Sequence, residues 1–322
     1  MKYLYVLVSG KSDYYSEQAY LSIYSLRQHT PNCFVSLLVD VQTSEYLKNN
    51  FIELINSVNE CKVVDLGNKY SNKEKSRILK TTMRQHIEDD FLFIDCDTII
   101  CEDLTEIKKY EYNIGCVLDS HVPVIKHWAK DWMKKNDKKC GFKEAFNRTM
   151  HFNSGVIYCK DNDATRKFYM DWANFMEQSI KAGVNIDQPS FNQADSLNGE
   201  LIGELEGKWN CQIIQGGIKH LHNAKIIHYF ASNKKFKNPY LLADKIILEE
   251  IRINKKLSNN CLSLLSNPRT AIDENAALLS PDVPIKLLYH EPFRELVYIC
   301  KNHQILYKTL RIMYMIFSKL HK

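Results

Sequence analysis

A chain of 322 residues, 45% hydrophobic and 25% charged, has the composition of an ordinary soluble globular protein with room for one large domain plus an appendage, or for two modest domains. Its net charge of +5 comes from dispersed basic residues and implies no nucleic-acid partner, and no run approaches the ~18 apolar residues of a membrane span. Ten cysteines without a Cys-x-x-Cys pair, several of them (Cys96, Cys116, Cys159) in apolar runs, read as reduced core thiols of a cytoplasmic protein. The start, MKYLYVLVSGKSD, reads as a first strand and lacks a signal peptide's cleavage region.

Lys2 to Ser9 reads as a buried strand and Gly10 to Asp13 as the loop leaving it. Apolar residues at Ala19, Leu21, Ile23, Tyr24 and Leu26 predict a helix over Tyr15 to His29, ending before Pro31. A strand over Phe34 to Asp40, a helix from about Ser44 to Val58 and a strand over Cys61 to Leu66 follow. A polar, lysine-rich loop (Asn68 to Lys75) then leads to a helix over Ser76 to His86. Next, four apolar residues, Phe91 to Ile94, run into Asp95-Cys96-Asp97, after which Thr98-Ile99-Ile100 resumes the apolar pattern. A run of this kind reads as a strand buried on both faces of a mostly parallel sheet. Two carboxylates at its C-terminal end are costly without a cation between them, and ligands of open α/β sheets bind beside such ends. Asp95 and Asp97 are therefore expected to hold a divalent metal that in turn holds a diphosphate; turn or surface acids are the plainer alternative. Neither a Gly-x-Gly-x-x-Gly fingerprint nor a Walker-type loop is present.

Asn113 to Leu118 reads as a further strand ended by Asp119, and the irregular, Trp- and Lys-rich stretch from His121 to Thr149 as a functional loop or small subdomain. Met150 to Tyr158 turns into another strand, followed by a helix over Asp163 to Ile180 with Phe168, Trp172 and Phe175 on one face. Asn185 to Pro189 opens a helix through about Ala194, with Pro189 suited to its first turn. Lys208-Trp209-Asn210 and Lys225 to Phe230 are the last pieces of a sheet domain spanning 1–240. Residues 241–322 read as a helical C-terminal region. At roughly 100° per residue, Lys301, Lys308, Arg311, Lys319 and Lys322 fall within an arc of about 80°, opposite Leu306, Leu310, Met313, Phe317 and Leu320, which makes a basic amphipathic tail.

Taken in order, these signals resemble the retaining glycosyltransferase family that includes bacterial lipooligosaccharide galactosyltransferases and glycogenin, from about Lys2 to Tyr240. Five local matches carry the resemblance: Ser76-Arg77-Ile78-Leu79-Lys80, Asp95-Cys96-Asp97, Phe152-Asn153-Ser154-Gly155-Val156, Asp187-Gln188, and His228 followed six residues later by Lys234. It implies a GT-A fold of the α/β, Rossmann-like class. It also implies that Arg77 faces the nucleotide-sugar, that Asp95, Asp97 and His228 ligate Mn²⁺ or Mg²⁺, and that Asn153 touches the donor sugar. Asp187 and Gln188 would lie against the reacting carbon and Lys234 against the diphosphate, with Asp119 and His121 at acceptor-side positions. An imidazole ligand tilts the metal choice toward Mn²⁺. Read one at a time, His228 is a core histidine, Lys234 a solvated lysine, Asn153-Ser154-Gly155 a turn and Asp187 an N-cap; joint order and spacing favour the functional reading.

Two departures stand out. The family's base-reading acid after the first strand is replaced by Val8-Ser9-Gly10-Lys11-Ser12-Asp13-Tyr14, where Val8 and Tyr14 are expected to meet the nucleotide, Tyr14 by stacking, and Asp13 to take the acid's place. The closing glycine after the histidine is missing from Ala231 to Phe236. The implied activity is transfer of a hexose from a UDP-sugar, with retention, to a glycan or lipid-linked acceptor in surface-polysaccharide synthesis. The tail would either dock to the inner face of a membrane or pack on the catalytic domain. A sugar nucleotidyltransferase, or a binding module without turnover, are the competing readings.

Overall fold

Strands β1 (Lys2–Leu7), β2 (Val35–Asp40), β3 (Glu60–Val64) and β4 (Phe91–Ile94) pair in parallel in the order β3-β2-β1-β4. Beyond β4 the sheet continues through β7 (Val156–Cys159), β6 (Ile114–Cys116) and β8 (Ile202–Glu204), with β7 antiparallel to both neighbours. A second sheet joins β5 (Thr98–Ile100), β10 (Ile226–His228) and β9 (Cys211–Gln212). The computed structural model describes residues 1–143, 148–230, 238–274 and 302–320, in two compact units, Met1–Leu278 and Leu279–Lys322.

The continuous apolar runs of the central strands follow from burial on both faces. Tyr3, Tyr5, Leu7, Leu92 and Ile94 enter one core, and Leu4, Val6, Phe91 and Phe93 enter the other. The first core is closed by helices α1 (Tyr15–His29), α2 (Val41–Asn50) and α3 (Ile52–Asn56), through Leu21, Ile23, Leu26, Leu47 and Leu54. The second is closed by α4 (Asn72–His86), α6 (Asp163–Lys181) and α7 (Gln188–Leu197), through Leu79, Met83, Phe168, Trp172 and Phe191. The cysteines among the described residues are free thiols, most of them buried.

Several expectations are corrected. The helix expected from Ser44 to Val58 is two helices, because Phe51 leaves helical geometry (φ −155°, ψ 57°) and buries its ring against Tyr20. Helix α4 starts a turn earlier than Ser76, at a reciprocal cap in which Ser71 Oγ accepts from Glu74 N–H while the Glu74 carboxylate accepts from Ser71 N–H. The irregular stretch after His121 contains helix α5 (Lys130–Cys140), closed by Gly141 at φ 73°. Its buried residues are only Met133, Asp137 and Cys140, too thin a stripe to register as periodicity. Beyond residue 240, α8 (Lys245–Asn254) and α9 (Asn259–Ser266) bury Ile247, Leu248, Ile251, Cys261 and Leu265 in the first core. In the second unit, α10 (Gln304–Leu320) exposes Ile305, Leu306, Ile312 and Met313 as well as Lys308 and Arg311. No helix among the described residues is long and apolar enough to cross a membrane.

Candidate active site

The end of β4 is pinned by Asp95 N–H to Gly155 O (2.8 Å) and by Thr98 Oγ1–H to Asp95 O (2.8 Å), which turns the chain sharply into β5. Between the two acids, the Cys96 thiol donates back to Val6 O (3.5 Å), leaving Asp95 and Asp97 together at the rim. Antiparallel pairing of β5 with β10 sets Thr98 opposite His228, and Tyr229 N–H donates to Asp97 O (3.1 Å). Two distant parts of the sequence therefore converge: one ligand atom each from Asp95, Asp97 and His228 lies within 4.8 Å of the others, and His228 Nε2 is 3.3 Å from Asp97 Oδ1. His228 is buried, stacked on Phe230 with ring centroids 4.0 Å apart. Gly155 makes the approach feasible, since a Cβ there would stand 2.3 Å from His228 Cε1.

Cations oppose these acids from α4. Buried Lys80 places Nζ 3.2 Å from Asp95 Oδ1 and 2.9 Å from Asp187 Oδ2, and Arg77 Nε lies 3.5 Å from Asp187 Oδ1. Burial works against the Lys80 charge, but Asp187 and Asp95 outweigh it and hold the ammonium more basic than usual. Asp187 is desolvated too, yet Arg77, Lys80 and a bond from Ser154 Oγ (2.7 Å) hold it well below the ordinary carboxylate range. Burial pushes the Asp95 carboxyl up, against the pull of Lys80. Among the described residues, the acids at the rim outnumber the fixed cations beside them, a donor set that suits a divalent cation. Asp187 occupies the N-cap position of α7 as expected, but its side chain makes no capping bond and turns to Lys80 and Arg77 instead.

Gln188 and Asn153 meet at Asp119. Its Oδ1 accepts from Asn153 Nδ2 (2.7 Å) and Gln188 Nε2 (3.0 Å), and its Oδ2 lies 3.0 Å from His127 Nε2. Burial opposes the charge, but the bond from His127, with its histidine neighbours and Asn153, holds Asp119 down at about 2. His121 accepts from Gln212 N–H (3.3 Å) and lines a cavity of about 280 Å³ with Glu204, Leu205, Lys208, Lys219 and His220. Lys80, His127 and Asn210 were not assigned roles by sequence reasoning. Lys80 had a signal, since it lies one turn from Arg77 on the same helix face; His127 and Asn210 had none.

At the expected nucleotide end the geometry is less accommodating. Asp13 is engaged by its own loop, accepting from Ser9 Oγ (2.6 Å), Gly10 N–H (3.1 Å) and Tyr15 N–H (3.1 Å). The Arg252 guanidinium lies over Tyr14, 4.2 Å from the ring centroid, and Tyr14 Oη donates to Glu249 (2.8 Å), so a stacked base would take the opposite face. Val8 is buried beside β1 in the second core, and Lys234 lies outside the described residues.

The sequence profile of the nucleotide-diphospho-sugar transferase family matches residues 35–215. No curated protein matches the sequence. Among solved structures, the galactosyltransferase LgtC in complex with donor and acceptor sugar analogues superposes with a TM-score of 0.52 at 12% identity, covering 82% of this chain and 99% of LgtC. Mouse xyloside xylosyltransferase 1 gives 0.47 at 15% identity, covering 70% and 96%. The glycosyltransferase GlyE of Streptococcus pneumoniae TIGR4 gives 0.49 at 15% identity, covering 85% and 65%. The expected GT-A architecture is the one observed.

Proposed function

The chain belongs to the nucleotide-diphospho-sugar transferase family, and on that premise we propose that it is a metal-dependent, retaining glycosyltransferase that moves a hexose from a UDP-sugar to a glycan or lipid-linked acceptor. The observation that carries this reading is the convergence of Asp95, Asp97 and His228 within 4.8 Å at the carboxyl rim of the sheet. Two carboxylates and an imidazole are ligands Mn²⁺ accepts readily, with Mg²⁺ the alternative. When bound there, the cation supplies Lewis-acid neutralisation of the diphosphate charge.

The chain's own residues do the remaining work. Arg77, and Lys234 from beyond the described residues, add fixed positive charge toward the phosphates. Gln188 and Asn153, whose amide nitrogens both bond Asp119, meet the donor sugar, Gln188 through its amide oxygen and Asn153 through its second amide N–H. Asp187, kept ionised by Lys80 and Arg77, stabilises positive charge growing on the ring. In the transfer, the bond between the anomeric carbon and the phosphate oxygen breaks with its electron pair leaving on UDP. The acceptor hydroxyl oxygen bonds to the same face, and its proton passes to the departing phosphate oxygen. An amide is a poor nucleophile, so this same-face route is favoured over a covalent intermediate on Gln188. His121, which lines the cavity, and Asp119, held by His127, mark the acceptor side. We place the enzyme in surface-polysaccharide synthesis on the cytoplasmic side of a membrane, with residues 301–322 as a peripheral contact.

A panel of UDP- and GDP-sugars incubated with Mn²⁺ and the purified protein tests this. Release of UDP with the freed sugar first appearing in the donor's anomeric configuration is expected, and EDTA or Asp97→Ala should abolish it. Turnover by Asp97→Ala in EDTA would remove the metal from the reaction. An inverted product would remove retention. Binding without turnover would leave a carbohydrate- or nucleotide-binding module.

A further inference from the structure

Asn210 is fully buried just after the short turn Gly207–Trp209, and its amide stands between two groups already placed in the site, Asn153 and His228. The polarity of this chain of bonds is fixed from one end. Gly155 N–H can only donate, and it lies 2.9 Å from one amide atom of Asn153, which must therefore be the oxygen. The ionised Asp119 carboxylate can only accept, and it takes the Asn153 nitrogen at 2.7 Å. Facing the Asn153 oxygen at 2.9 Å, Asn210 must present its own nitrogen. That leaves the Asn210 oxygen toward His228 Nδ1 at 3.1 Å. An amide oxygen has no proton to give, so the neutral imidazole carries its proton on Nδ1 and its lone pair on Nε2. Nε2 is the atom 3.3 Å from the Asp97 carboxylate. The opposite tautomer would set two lone pairs against each other at Nδ1.

We propose that Asn210 is a positioning residue which, relaying a one-way sequence of hydrogen bonds from Asp119 through Asn153, fixes the His228 tautomer and so presents the Nε2 lone pair to the cation. This inference rests on the metal reading above and adds to it a residue that reaches neither the metal nor the sugar. Asp119 then acts in two directions, because one carboxylate aligns Gln188 on one side and, two amides away, the metal-facing imidazole on the other. Partners of this outer kind typically change metal affinity by about 10- to 100-fold when lost.

The test uses the full-length protein and two variants. Asn210→Leu keeps the branched heavy-atom skeleton and removes the acceptor; Asn210→Asp keeps an acceptor for Nδ1 but sets an oxygen against Asn153. In the metal-free wild type at alkaline pH, ¹⁵N shifts of the imidazole nitrogens should report the proton on Nδ1. Mn²⁺ affinity should fall about 10- to 100-fold in Asn210→Leu and stay within a few-fold of wild type in Asn210→Asp, although the latter loses stability. A purely structural role would make affinity follow stability instead, and that ordering overturns the proposal. So does a wild-type ring protonated on Nε2, or an Asn210→Leu variant with unaltered tautomer and affinity. If Asn210→Leu does not fold, the wild-type tautomer and the Asn210→Asp affinity decide. A wild type that binds no Mn²⁺ overturns the metal reading, and the tautomer readout then judges this inference alone.

Discussion

Lys80 reaches two carboxylates from inside the protein, and taking its charge away would leave Asp95 and Asp187 facing each other across the space it fills. Breaking a buried ion pair by removing one partner typically costs about 3–5 kcal/mol, because the remaining charge is stranded. Lys80→Met, close in length and apolar, should therefore lower stability by about that much in urea unfolding. Adding Asp187→Asn should restore part of the loss, since one of the stranded charges is gone. A loss under about 1 kcal/mol, the worth of an exposed pair, would mean that water reaches Lys80 and that the acids are not held by it. The Asp-x-Asp pair stood out in the sequence because an acid pair directly after an apolar strand is hard to explain without a cation, whereas His228, a core histidine when read alone, was reached only through the family resemblance. The hub at Asp119 was not legible. Its partners Asn153, Gln188 and His127 come from separate loops and a helix start, and nothing in the spacing of a lone His or Asn shows which carboxylate it will meet.

At the scale of elements, legibility followed burial. The central strands and α1 were readable because apolar residues recur there at the period their geometry demands. Helix α5, with a charged residue among its few buried positions, was not readable, and the α2–α3 break depended on one phenylalanine turning inward. The start of α4 was misplaced although Ser71 and Glu74 stand in capping-box spacing, because the surrounding lysines read as loop. The apolar residues Ile305, Leu306, Ile312 and Met313 of helix α10 are exposed, and Lys308 and Arg311 are exposed with them. Basic residues beside an exposed apolar stripe favour an anionic lipid surface, at about 1 kcal/mol per cation near the headgroups. The full-length protein should sediment with phosphatidylglycerol-containing vesicles at low salt, while a chain ending at residue 300 should stay in the supernatant. Equal sedimentation of both would discard the tail as the anchor.

Across the whole molecule, buried titratable groups set the response to acid. Burial, before any neighbouring charge, holds His121 and His151 down at about 3. Their folded pKa values lie below the unfolded ~6.5, so the unfolded chain takes up protons first as pH falls. The stability they contribute is complete above about pH 6.5 and is lost between about 6.5 and 3, at about 1.4 kcal/mol per pH unit for each ring while its two pKa values bracket the pH. Asp195 has the reverse sign. Burial raises it to about 6, so its penalty on the folded state appears above about pH 4 and is complete by about 6. Two rings outweigh one acid, and unfolding free energy should fall steadily from pH 7 to pH 5. A flat or rising profile would show that water reaches these histidines.

The site and the proposed chemistry turn on whether Asp95, Asp97 and His228 hold one divalent cation. Mn²⁺ binding followed by electron paramagnetic resonance on the metal-free protein measures this directly. One Mn²⁺ per chain is expected, with affinity weakened more than about 100-fold in Asp97→Ala, beyond what loss of an outer partner brings. Wild-type protein that leaves Mn²⁺ free in solution, or an Asp97→Ala variant that binds it as the wild type does, would contradict the metal centre.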